Sequence, residues 1–139
     1  MSRPEYYGNP AGVTHDVDVV RALYRAFAER DLEAALPLIA PDAELHADGT
    51  AQRAGRDGPY RGPEGLRTYF ADVERVWDVL TLFADDFRVV PGFVVVMGHV
   101  AFVSRDGQPA QRGVVWTWRL RDGVATYMRV ADMGELPAS

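Results

Sequence analysis

The chain has 139 residues, a net charge of −5 at pH 7 and a hydrophobic fraction of 47%, which suits a single domain with its own core. It contains no cysteine, which excludes disulfides, thiolate catalysis and cysteine-held metals. All 15 basic residues are arginine, so Schiff-base chemistry and the lysine of a P-loop are excluded too.

Residues 1–13 are rich in Pro, Gly and Tyr and read as an arm, with one domain over residues 14–133 and a tail at residues 134–139. A first helix is expected from Thr14 or Asp16, whose side-chain oxygens can cap exposed amides. Val20, Leu23, Tyr24 and Phe27 then share one helical face. Asp31 stops that helix and caps a second, short one carrying Leu32, Ala35, Leu36 and Ile39, with Pro37 near its first turns. Residues 43–48 alternate as a strand, with Ala43, Leu45 and Ala47 on one side and Glu44, His46 and Asp48 on the other. The glycine-rich stretch 49–62 reads as a loop. Gly62-Pro63-Glu64 starts a third helix whose buried stripe is Leu66, Tyr69, Phe70, Val73 and Trp77.

From here the period falls to two. Strands are expected at residues 87–90, 93–103, 114–120 and 124–132, with turns at Arg105-Asp106-Gly107-Gln108 and Asp122-Gly123. The strand from Phe93 is apolar on both sides, as in a sheet covered on both sides. Val94, Val96, Val100 and Phe102 form one set, and Phe93, Val95, Met97, Ala101 and Val103, with His99, form the other. The next strand directs Val114, Trp116, Trp118 and Leu120 inward. Helices gathered on one side of an antiparallel sheet make an α+β fold.

Serine occurs only at Ser2, Ser104 and Ser139, outside any nucleophile elbow. No glycine-rich dinucleotide fingerprint is present, and no cofactor is expected. The acidic balance argues against nucleic acid; Arg53, Arg56, Arg61 and Arg67 are interrupted by Asp57 and Glu64 and read as a solvated loop. The longest apolar run, Phe93 to Met97, is too short to cross a bilayer. The first residues lack a signal-peptide core, so no membrane partner and a cytoplasmic location are expected.

The element order, with the phrases Ala28-Glu29-Arg30-Asp31-Leu32-Glu33-Ala34-Ala35, Tyr60-Arg61-Gly62-Pro63-Glu64-Gly65-Leu66 and Trp116-Thr117-Trp118-Arg119-Leu120-Arg121-Asp122-Gly123, resembles the nuclear transport factor 2-like superfamily and its SnoaL-like members. The resemblance runs from about Val17 to Asp132. It implies a curved antiparallel sheet and three helices forming a cone around an apolar pocket, and dimerisation through the outer sheet face. It does not fix an activity, since the superfamily holds isomerases, cyclases, hydrolases, dehydratases and non-catalytic binding modules. The ketosteroid isomerase-like pattern falls on Ala47, next to Asp48, and on Trp116 and Leu23 or Tyr24. The limonene epoxide hydrolase-like pattern falls on Met97-Gly98-His99 and Arg129. Neither carboxylate set is present.

The candidates that remain for acid/base catalysis are His99, expected to face the pocket, and Asp48. Tyr24, Phe27, Tyr60, Trp77, Met97, Trp116 and Trp118 are expected to line the pocket, with Arg129 facing either inward or to solvent. His46 and Asp48 are too few for a metal site, and none is expected. Two readings stand. One is an isomerase, cyclase or dehydratase acting on an apolar oxygenated compound such as a polyketide, steroid-like molecule or terpenoid; the other is a non-catalytic ligand-binding or dimerisation module. A face bearing Val94, Val96, Val100, Val115 and Thr117 is expected to be outermost and to form a homodimer.

Overall fold

A computed structural model describes residues 10–135. Helix α1 (Pro10–Ala28) begins earlier than the caps at Thr14 or Asp16 suggested, because proline is well placed in a first turn. It buries Val19, Val20, Leu23, Ala26 and Phe27. Arg30 turns the chain at φ 53°. The Asp31 carboxylate then accepts the Ala34 amide at 3.1 Å and caps α2 (Leu32–Ala35). A 3-10 turn, Leu36–Leu38, absorbs Pro37, which lacks the amide an α-helix would need.

Strand β1 (Ile39–His46) starts at a residue expected on the second helix. Asp48 is not on that strand: it opens a short helix, α3 (Asp48–Arg53), inside the stretch expected to be a loop. A carboxylate in the first turn favours that helix end. The two-residue strand β2 (Tyr60–Arg61) leads into α4 (Gly62–Val76). Gly62 has φ +65°, and a Cβ there would sit 2.7 Å from the Pro41 carbonyl oxygen, so only glycine fits this junction. Trp77, expected on the helix, instead opens the long strand β3 (Trp77–Val90). Strands β4 (Phe93–Ser104), β5 (Pro109–Arg121) and β6 (Val124–Glu135) complete a meander.

The six strands form one open sheet in the order β2-β1-β6-β5-β4-β3. All pairings are antiparallel except β1 with β6, which run parallel. Register shifts leave Asp85 of β3 and Thr126 of β6 unpaired, bulges of the kind that bend a sheet. Gly98 faces the first bend, where a Cβ would lie 1.8 Å from the Phe83 carbonyl oxygen. The strand can cross there only as glycine.

The face assignment of β4 is the reverse of the expectation. Val96 pairs with Trp116 and Val94 with Trp118, and directly opposed residues share a face. Val94 and Val96 are 1% and 0% exposed and belong to the core, while Met97 and His99 point to the outer side. No described helix is long and apolar enough to cross a membrane.

Candidate functional site

Helices α1 and α4 lie across the concave side of the sheet and enclose a chamber. Leu23, Tyr24 and Phe27 reach it from α1; Leu66, Tyr69 and Phe70 reach it from α4. The sheet contributes Leu45, Leu82, Trp116, Trp118, Met128 and Val130, with Ala47 just beyond β1. The chamber holds about 60 Å³, well below the ~300–1,000 Å³ usual for a small-molecule site. Its walls are mostly aromatic. Tyr24 sets its ring edge-on to Trp116, Trp118 and Phe87 at centroid distances of 5.2, 5.8 and 6.0 Å. Tyr69 stacks on Phe27 at 5.6 Å.

Two phenols supply the polar chemistry. The Trp118 indole N–H donates to the Tyr24 hydroxyl oxygen at 3.1 Å. An indole N–H can only donate, so the Tyr24 hydroxyl keeps its own hydrogen for another acceptor. The Tyr69 hydroxyl has no hydrogen-bond partner among the described residues. Burial pushes both phenols above the ordinary tyrosine range, and the charge Tyr69 would carry adds to the effect on Tyr24. Both therefore stay protonated and act as neutral donors. No carboxylate, imidazole or guanidinium lines the chamber among the described residues.

Of the expected lining residues, Tyr24, Phe27, Trp116 and Trp118 are there; Met97, on the outer face, is not. His99 also lies on the outer face, stacked on Phe83 at 4.4 Å with its Nδ1 3.0 Å from the Asp85 carboxylate. Asp48 is half exposed and 3.7 Å from Arg129. Arg129 takes the solvent alternative: it lies on the outer side beside His46, while Met128 and Val130 face the chamber. There the Arg129 guanidinium donates to the Tyr127 oxygen at 2.9 Å and to His46 Nδ1 at 3.3 Å. The guanidinium cannot accept, so the His46 hydrogen sits on Nε2 and goes to Glu44 at 3.2 Å. Among the described residues no group of His, Asp or Glu is placed to hold a metal.

Tyr60 is buried behind Tyr69, ring to ring at 5.3 Å, and serves a different cluster. Its hydroxyl donates at 2.7 Å to Asp72 on α4, which is 2% exposed. Arg56 grips the same carboxylate with Nε and Nη2, and Arg75 adds a contact at 3.1 Å. The hydrogen bonds from Arg56 hold the Asp72 pKa down at about 2, against the opposing effect of burial. This cluster ties the segment after α3 to α4. The sequence carried one hint of it: an aspartate beside Val73 in the buried stripe, which needs a partner if it is buried.

A second hollow, of about 370 Å³, adjoins the chamber between α1, α4 and β3. Trp77 lines this cleft rather than the chamber, and its indole N–H donates to the Thr50 hydroxyl at 3.0 Å. Arg30 spans the cleft, donating to the Phe27 and Leu80 carbonyl oxygens at 2.6 and 2.9 Å and to Glu74 at 3.4 Å.

Residues 20–128 match the model of the SnoaL-like domain family. Among solved structures, an NTF2-like protein of unknown function from Burkholderia pseudomallei is 27% identical, with a TM-score of 0.75 over 85% of this chain and 90% of that one. TerC, crystallised with polyporic acid, is 29% identical with a TM-score of 0.75 over 85% and 91%. IdmH of Streptomyces antibioticus, described as a candidate polyketide cyclase, is 26% identical with a TM-score of 0.68 over 85% and 91%. None of the curated proteins is a significant match.

Proposed function

The chain belongs to the SnoaL-like domain family, and from that premise we propose that it binds a flat, apolar molecule of the polyketide, steroid-like or terpenoid kind through a carbonyl oxygen. The observation that carries this reading is the chamber's pair of neutral phenols set in an aromatic wall. Tyr24 already accepts from Trp118, so what it offers a ligand is a hydrogen to donate, and the Tyr69 hydroxyl can supply a second. A carbonyl oxygen, which accepts and cannot donate, is the matching group. The tryptophan faces suit the ring behind it. A binding role fits better than acid/base turnover because His99 and Asp48 lie outside the chamber, and no base among the described residues lines it. The crystallisation of TerC with polyporic acid supports a small-molecule role for this shape of domain.

Acetophenone and ethylbenzene test the reading, because they share a ring and differ at the carbonyl. Binding is followed through the indole N–H resonances of Trp116 and Trp118. Acetophenone is expected to bind about fivefold more tightly, the worth of one neutral hydrogen bond. The preference should vanish in the Tyr24→Phe, Tyr69→Phe double variant. Equal affinities in the unaltered protein would defeat the carbonyl reading.

A homodimer through the outer sheet face is the second part of the proposal. The face differs from the one expected, since Val94, Val96 and Val100 lie on the inner side. Val79 and Phe83 are instead 47% and 41% exposed, with Val115 and Thr117 on the same side, a patch that favours cover. A monomeric mass by light scattering at micromolar concentration would refute it.

A further inference from the structure

We propose that the cleft between α1, α4 and β3 is a second compartment of the ligand site. It takes the oxygenated far end of an elongated, uncharged molecule whose carbonyl end lies in the chamber. This rests on the chamber reading above and extends it from a recognised group to a shape.

The chamber alone is too small. At about 60 Å³ it has no room for an elongated two-ring molecule, whose sites usually span ~300–1,000 Å³. The cleft beside it offers about 370 Å³, and Tyr24, Phe27 and Leu82 line both. The partition is thus built from three side chains, and rotamer changes there would join the two spaces. The cleft is also the more polar of the two. Arg30 occupies it with a guanidinium of which three N–H groups are engaged. Five are available to an arginine, so two remain for a ligand oxygen. The surrounding charges indicate a neutral oxygen rather than a carboxylate: Arg30 already faces Glu74, and Asp78 is paired with Arg105 at 3.0 Å. A second anion would add to Glu74 and Asp78, whereas a hydroxyl or carbonyl needs no counter-charge.

Acetophenone, chalcone and 4-hydroxychalcone separate the parts. Chalcone extends acetophenone by a second ring, and 4-hydroxychalcone places an oxygen on that far ring. In the unaltered protein chalcone should bind about tenfold more tightly than acetophenone, from the extra apolar area buried. The hydroxyl should add a further few-fold gain. Ala28 is exposed and lines the cleft but not the chamber, so Ala28→Trp should erase the chalcone gain and leave acetophenone unchanged. Leu80→Trp, from the opposite wall and on the inner face of β3, should repeat the blockade and guards against a folding defect in the first variant. Arg30→Asn, a residue that tolerates the φ of 53° at this position, should remove the hydroxyl gain. A chalcone gain that survives both tryptophan variants overturns the cleft while leaving the chamber reading intact. A hydroxyl gain that survives Arg30→Asn overturns the role of Arg30. Acetophenone failing to outbind ethylbenzene would overturn chamber and cleft together.

Discussion

The two faces of this sheet are made by the same strands, yet they carry opposite chemistry. On β1, Leu45 faces the chamber while Glu44 and His46 face outward; on β6, Met128 and Val130 face inward while Tyr127 and Arg129 face outward. Glu44, His46, Tyr127 and Arg129 of this pair lie on the outer side, linked through Arg129, His46 and Glu44. The chamber on the inner side keeps only neutral donors among the described residues. A strand gives each successive residue to the other face, so a single register decides which side receives charge. Ligand recognition is then left to shape and to two phenols, because an unpaired charge in the chamber would carry a heavy desolvation cost.

The widest separation between the faces should come from adjacent residues on β4. Val96 is 0% exposed and opposes Trp116, whereas Met97 is half-buried on the outer side opposite Val115. Val96→Asp should cost at least ~4 kcal/mol or prevent folding, as expected for an unpartnered carboxylate in an apolar core. Met97→Asp should cost about 1 kcal/mol or less. Urea denaturation of the two variants checks this, and comparable losses would mean that the face assignment is wrong.

Asp72 is the exception that sharpens the contrast, being a buried charge on the helix side of the sheet. It is tolerated because Arg56, Arg75 and Tyr60 all donate to it. Its pKa of about 2 lies below the ordinary aspartate value of 3.8, so the ionised form belongs to the folded state. The stabilisation is present above the unfolded pKa and is lost as pH falls through about 2. Asp72→Asn should cost about 2 kcal/mol at neutral pH and flatten the acid limb of the stability curve between pH 4 and ~2. Chemical denaturation across that range reads it, and an unchanged acid limb would show that the cluster is not coupled to folding.

The fold was legible in the sequence because its signals are local. The apolar spacing of Leu66, Tyr69, Phe70 and Val73 marks a helix, and the alternation around Trp116 and Trp118 marks a strand. The site was legible only where one face was unambiguous. Trp116 and Trp118 sit on a strand with a polar opposite face, and both are in the chamber. His99 sits on a strand that is apolar on both sides, so hydrophobicity alone could not orient it. The deciding information lay in the hairpin. A two-residue turn at Asp106-Gly107 would set Val96 opposite Thr117, but Val103 pairs with Pro109 and sets Val96 opposite Trp116. One residue of loop length exchanges the faces. Asp48 failed for a different reason: strand alternation in residues 43–48 continues smoothly into the first turn of α3, where the acid opens a helix instead of extending a sheet. The cluster around Asp72 joins residues 16 apart on different elements, a distance that no spacing rule reads.

The smallest effect is expected from the two phenols, and it separates a hydroxyl already in use as an acceptor from one with no partner among the described residues. Tyr24→Phe removes the acceptor for the Trp118 indole N–H and leaves that group buried without a partner. A loss of about 1–2 kcal/mol is expected. Tyr69→Phe removes a hydroxyl that has no hydrogen-bond partner among the described residues, and its ring still stacks on Phe27. Stability should then be unchanged within ~0.5 kcal/mol, or slightly increased. Thermal unfolding of both variants beside the unaltered protein gives the answer. A structural hydroxyl at Tyr69 would make its variant as weak as that of Tyr24. A neutral result would mark Tyr69 as a donor held for something other than the fold, since a hydroxyl that bonds to no other group of the fold adds nothing to its stability.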